Sequence, residues 1–236
     1  RDDTGSLHGI DALTGARLWT RPERDFSDVV LPLGDDRVAC LTPGALHVID
    51  RRTGLSRAKV EVPPLAVAAP PRILGSLCLL PFADRVVAVD LARAAVAWEF
   101  RSPAILPTLS FLETSGDGIL AGRANAIACL EPDTGKLRWS LGMKDLEIRS
   151  ALPVDDAFYL TLMGEKGNAL AAVSAGKGEI LWRCPLGRQT TCELPAAVGE
   201  FLAVDGGRDP DDPVEGANQL LFLERATGKR AHALNL

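Results

Sequence analysis

No stretch of this sequence reaches the roughly 18 uninterrupted apolar residues that a membrane-spanning helix needs, so the segment has no helical route into a bilayer. No block of Lys or Arg is present: 26 basic and 31 acidic residues are interspersed, with a net charge of −5. Nothing in that pattern could track a phosphate backbone, which excludes nucleic acid as the expected partner. Nucleophile motifs are absent as well, with no G-x-S-x-G and no H-E-x-x-H. The pairs Gly135-Lys136, Gly176-Lys177 and Gly228-Lys229 lack the full phosphate-loop spacing and read as turns. The five cysteines, Cys40, Cys78, Cys129, Cys184 and Cys192, are odd in number and irregularly spaced, which makes a poor disulfide framework. The first three sit in apolar runs and are expected as small core residues, while a Cys184–Cys192 pair stays open. The chain begins at Arg1 with no initiator Met or signal-peptide pattern, and is therefore expected to be part of a longer precursor.

What the chain does have is apolar content and a repeat. At 47% hydrophobic and 24% charged over 236 residues it can bury a sizeable core. Six segments align without gaps: GIDALTGARLW, VIDRRTGLSRA, AVDLARAAVAW, CLEPDTGKLRW, AVSAGKGEILW and FLERATGKRAH. Anchored on Asp11, Asp50, Asp90, Glu131, Ser174 and Glu224, their intervals are 39, 40, 41, 43 and 50 residues. Each unit runs from an apolar stretch through an acidic or polar residue and a Thr-Gly type turn to a segment ending in Trp. Gly15, Gly54, Gly135, Gly178 and Gly228 fall four residues after the anchor, where a tight hairpin calls for positive φ. Val86 to Val89, Ala126 to Leu130 and Ala169 to Val173 read as strands buried on both faces. Val96 with Trp98, Leu137 with Trp139 and Ile180 with Trp182 are spaced by two, which predicts each pair on one strand face.

Two more strand-like runs precede each unit after the first, giving four strands per repeat. The expected fold is all-β: a β-propeller of four-stranded antiparallel blades, about five and a half in this chain, within a six- to eight-bladed ring. A sandwich is the rival, but it has no reason to repeat one hairpin motif six times. Residues 1–236 read as one domain, an N-terminal half-blade over 1–22 followed by five blades. The two strands that would complete the half-blade are expected before Arg1, because an open half-blade leaves an unpaired edge.

The pattern D-x-x-T-G-x-x-x-W after an A-V-D strand resembles the pyrroloquinoline-quinone-like repeat, found in quinoprotein dehydrogenases and in BamB-like assembly lipoproteins. The resemblance covers the whole chain and implies that Trp19, Trp98, Trp139 and Trp182 dock between adjacent blades, largely buried. Ala58 and His232 stand where the second and sixth units would have Trp, and Arg93-Ala94 replaces Thr-Gly in the third. The resemblance also suggests an extracytoplasmic location in a bacterium, whereas lone core cysteines would suit a reducing cytoplasm. A quinoprotein enzyme would show an adjacent Cys-Cys pair, a calcium cluster and a catalytic Asp, and no residue here can be carried over to those roles.

No catalytic residue, cofactor site or metal site is therefore assigned. The acids at Asp11, Asp50, Asp90 and Glu131 recur at one structural position and read as turn caps. His8 and His47 share a register and read as packed or hydrogen-bonded strand residues, with no third ligand for zinc. The stretch Asp205 to Gly216 stretches the last interval to 50 residues. Its Asp205, Asp209, Asp211, Asp212 and Glu215 are weak candidates for a metal or basic partner, failing the spacing of a calcium loop. A surface excursion between the two middle strands of the last blade is expected. Two functions follow: a non-catalytic propeller that binds a protein partner, or a cofactor- or small-molecule-binding propeller of the quinoprotein dehydrogenase type.

Overall fold

The computed structural model describes residues 6–22, 29–64, 66–101, 109–115, 118–123, 125–165, 167–186, 194–207 and 219–235. They hold 22 strands and no helix, in two compact units, residues 1–102 and 103–236. The first unit opens with a two-stranded sheet, β1 (Leu7–Ile10) and β2 (Arg17–Arg21). Two four-stranded sheets follow: β3 (Val30–Leu33), β4 (Arg37–Thr42), β5 (Ala45–Asp50), β6 (Ser56–Glu61), then β7 (Arg72–Leu74), β8 (Leu77–Pro81), β9 (Arg85–Asp90), β10 (Ala95–Arg101). The second unit has three more. They are β11 (Phe111–Ser115), β12 (Gly118–Arg123), β13 (Ala126–Leu130), β14 (Leu137–Gly142); β15 (Glu147–Val154), β16 (Ala157–Met163), β17 (Asn168–Ser174), β18 (Ile180–Leu186); and β19 (Ala196–Val198), β20 (Phe201–Gly207), β21 (Gln219–Glu224), β22 (Arg230–Asn235). Every four-stranded sheet is an antiparallel meander, the form of a propeller blade.

Strand alternation assigns each residue of a middle strand to one of two neighbouring blades. In β16, Phe158, Leu160 and Leu162 join a core with Leu120, Ile127 and Cys129 of the preceding blade. Ala157 and Tyr159 of the same strand join Leu202, Val204, Leu221 and Leu223 of the following one. Both faces of β16 and β17 are therefore buried, and their continuous apolar runs follow from that. Thr161, fully buried in β16, meets its polar requirement by a 2.6 Å hydrogen bond with the Ser150 hydroxyl. In the first unit a core built from Leu46, Val48 and Val60 with Cys78, Leu80 and Val87 joins the two four-stranded sheets in the same way.

A register slip on the last strand recurs in all six repeats. Leu130 faces Leu137 and Cys129 faces Trp139, so Arg138 is an extra residue; Leu181 and Ala97 are its counterparts beside Trp182 and Trp98. Such a bulge reverses which face the following residue takes. The same-face expectation for the Val96/Trp98, Leu137/Trp139 and Ile180/Trp182 pairs is thus corrected. The aliphatic member is turned out, 44%, 46% and 47% exposed, while Trp98 is 8% exposed. The residue opposite each Trp is small, as in Gly9, Ala88, Cys129 and Ala172, whereas Val48 faces Ala58 and Phe222 faces His232.

Candidate functional site

The anchor residue organises its own hairpin. Asp50 Oδ1 accepts from the amides of Arg52 and Thr53 and from the Thr53 hydroxyl, at 2.9 to 3.0 Å. The amide of Gly54 then returns to the Asp50 carbonyl at 2.9 Å, which closes the loop. Asp11 makes the same three side-chain bonds with Leu13 and Thr14, and Asp90 bonds the amides of Ala92 and Arg93. The longer side chains of Glu131 and Glu224 accept from the hydroxyls of Thr134 and Thr227. At Asp11 and Asp50 these bonds stabilise the charged carboxylate. At Asp50 the Arg57 guanidinium adds the largest effect, ahead of Thr53, and the pKa falls far below the usual carboxylate range. At Asp11 the Thr14 amide and hydroxyl lower it.

The glycines four residues on have φ between 66° and 73°, the left-handed region that glycine enters with least strain. Three of them also seat a Trp. A Cβ on Gly54 would lie 2.6 Å from the Trp19 ring, one on Gly178 2.5 Å from Trp139, and one on Gly228 2.4 Å from Trp182. Each indole N–H reaches past its glycine to the turn of the next blade: Trp19 to Arg51 O (2.9 Å), Trp139 to Ala175 O (2.8 Å), Trp182 to Arg225 O (2.9 Å). These three rings are half-buried. In the third unit Ala94 holds the glycine conformation at φ 53°.

The remaining candidates are structural or lie outside the described residues. Burial pushes the thiol of Cys78 up to about 12 and those of Cys40 and Cys129 to about 11, which makes them poor nucleophiles. Cys184 is a buried thiol, and Cys192 lies outside the described residues. His8 bonds the Thr20 hydroxyl at 3.0 Å, His47 that of Thr42 at 3.1 Å, and His232 meets the Phe201 ring edge-on at 6.2 Å. Asp205 lies in β20, while Asp209, Asp211, Asp212 and Glu215 fall outside the described residues. Among the described residues no group of three or more His, Cys, Asp or Glu could hold a metal ion. Nor is any helix long and apolar enough to cross a membrane.

The structure instead gathers a groove in the second unit, between the blade of β15–β18 and that of β19–β22. Its volume is about 760 Å³, and Asp155, Asp156, Tyr159, Leu181, Glu200 and Arg225 are among the lining residues. Arg225 braces its wall: the guanidinium donates to Gly199 O at 2.8 Å and pairs with Asp155 of the preceding blade. The Arg225 amide donates to Glu200 O at 2.9 Å, and its carbonyl receives both the Trp182 indole and the Tyr159 hydroxyl. Asp155 has φ 51° at a hairpin position where Gly34, Gly75 and Gly199 stand in other blades. That departure from glycine is the one sequence signal that could have pointed here. The outward Leu181, 57% exposed, is the extra residue of the β18 bulge.

The family model described as "Outer membrane protein assembly factor BamB" matches residues 3–147 and 123–235. No curated protein sequence matches the chain. Among solved structures, BamB from Moraxella catarrhalis is similar at 16% identity and TM-score 0.50, over 98% of this chain and 83% of that one. Quinohemoprotein alcohol dehydrogenase from Comamonas testosteroni is similar at 12% identity and TM-score 0.63, over 88% of this chain and 42% of that one. Hydrazine synthase from Kuenenia stuttgartiensis is similar at 15% identity and TM-score 0.59, over 89% of this chain and 67% of that one. The chain spans less than half the length of the quinohemoprotein, and at these identities the likeness is one of fold.

Proposed function

This chain belongs to the family of the outer membrane protein assembly factor BamB, and from that premise we propose that it is a non-catalytic propeller scaffold that holds a protein partner. It acts as an assembly factor or as the interaction domain of a larger bacterial protein, with residues 1–236 forming one propeller domain that opens on a half-blade. The observation that supports this reading is the use to which the recurring acids are put. Asp11, Asp50, Asp90, Glu131 and Glu224 bond their own turns. Trp19, Trp139 and Trp182 bond the next hairpin, so the repeat supports the ring and leaves rims and loops to vary.

The quinoprotein dehydrogenase reading makes a different demand, a quinone held in the ring with a divalent cation. Incubation of the full chain with pyrroloquinoline quinone and calcium, followed by gel filtration, separates the two. The scaffold reading expects no quinone absorbance in the protein peak and no calcium-dependent rise in melting temperature. Stoichiometric retention of the quinone overturns it.

A further inference from the structure

We propose that the groove between the β15–β18 and β19–β22 blades is a docking site for an extended, basic and apolar segment of a partner protein. The inference rests on the scaffold reading and names the surface and the partner chemistry. Four carboxylates line the groove, from Asp155, Asp156, Glu200 and Glu224, against the single guanidinium of Arg225. Asp155 is engaged by Arg225 and Glu224 accepts from the Thr227 hydroxyl. Asp156 and Glu200 are exposed, on the two hairpin tips that flank the opening. The net charge of the lining is three negative, so the complementary occupant carries Lys or Arg.

A small cation does not fit this arrangement, since the carboxylates are spread along the groove and form no cluster able to hold a metal ion. A segment of chain does fit. The volume of about 760 Å³ lies within the range of binding pockets for sizeable ligands. Apolar purchase comes from Leu181, turned out by the bulge, with Phe201 half-buried and Ala226 exposed beside it. The walls are preformed: the Arg225–Asp155 pair and the Trp182 bond to Arg225 O tie the two blades together before any partner arrives.

The test uses two dye-labelled nonapeptides, one of alternating Arg and Leu and one of alternating Glu and Leu, titrated with the full chain and read by fluorescence anisotropy. The Arg-Leu peptide is expected to bind and the Glu-Leu peptide not to bind. Asp156→Asn combined with Glu200→Gln, and separately Leu181→Ser, should each weaken the Arg-Leu peptide about tenfold or more, with melting temperatures unchanged. Asp133→Asn combined with Glu165→Gln, which removes two exposed acids outside the groove, should leave its affinity as it was. Equal binding by wild type and the groove variants, an equal loss in the control variant, or no binding at all overturns the groove assignment. Those outcomes leave the scaffold reading standing, whereas retained quinone removes that reading whatever the peptides do.

Discussion

Gly178 and Gly15 have nearly the same backbone, φ 73° and 71°, yet replacing each with alanine should have different consequences. At Gly15 an added Cβ meets nothing within 4 Å. The cost is then the left-handed penalty of about 1–2 kcal/mol, partly offset by the lower entropy of the unfolded chain, for a net loss of about 1 kcal/mol. At Gly178 the same backbone cost applies, and the Cβ would lie 2.5 Å from the Trp139 ring. The ring must retreat, weakening its 2.8 Å bond to Ala175 O and its edge contact with Phe158 at 6.3 Å. Both contacts are weakened and not broken, so those losses are about 0.5 kcal/mol each, and the crowding adds a further 1–3 kcal/mol or so, for about 3–5 kcal/mol in all. In a Trp139→Ala background the crowding disappears and Gly178→Ala should again cost about 1 kcal/mol, a coupling of about 2–4 kcal/mol across the cycle. Urea unfolding followed by far-ultraviolet circular dichroism, with m-values compared, measures all four proteins. If Gly178→Ala costs no more than Gly15→Ala, or the coupling is near zero, the indole does not use the glycine as its seat.

Ala94 holds φ 53° without a glycine, so Ala94→Gly should stabilise the protein by about 1 kcal/mol in the same urea assay, and a destabilisation would show that the turn is not strained. Asp50 has a depressed pKa, so its contribution is present above the ordinary carboxylate range near pH 4 and fades as pH falls through the lower folded value. Urea midpoints taken from pH 6 to pH 2 should therefore fall less steeply for Asp50→Asn than for wild type; identical slopes would remove Asp50 from the acid response. Cys40, Cys78 and Cys129 are fully buried with raised pKa values, so iodoacetamide should modify them no faster than the chain unfolds, as followed by peptide mass spectrometry.

The blades were readable before the structure because each is specified locally. The Asp-x-x-Thr-Gly turn closes through bonds spanning five residues or fewer, and the runs that became β9, β13 and β17 carry the unbroken apolar character of strands covered on both sides. The bulges were not readable. Arg138, Ala97 and Leu181 share no side-chain property, and the slip exists only in the pairing of one strand with the next. For that reason the face of each Trp relative to its aliphatic neighbour was misassigned. The groove was hidden for a related reason: Asp155, Leu181, Glu200 and Arg225 are separated by tens of residues and meet only when two blades stack.

The seating of Trp19, Trp139 and Trp182 on the turn of the next blade gives this chain a direction. Trp139 completes its hydrogen bond only when the hairpin around Gly178 has closed, and Trp182 only when that around Gly228 has. During synthesis from the N-terminus, the blade of β11–β14 and then that of β15–β18 therefore presents an unseated tryptophan at its leading side until the following blade arrives. Order passes along the chain toward the C-terminus like links being fastened one after another. A chain cut between Trp182 and the hairpin at Gly228 would leave its last indole with nowhere to rest.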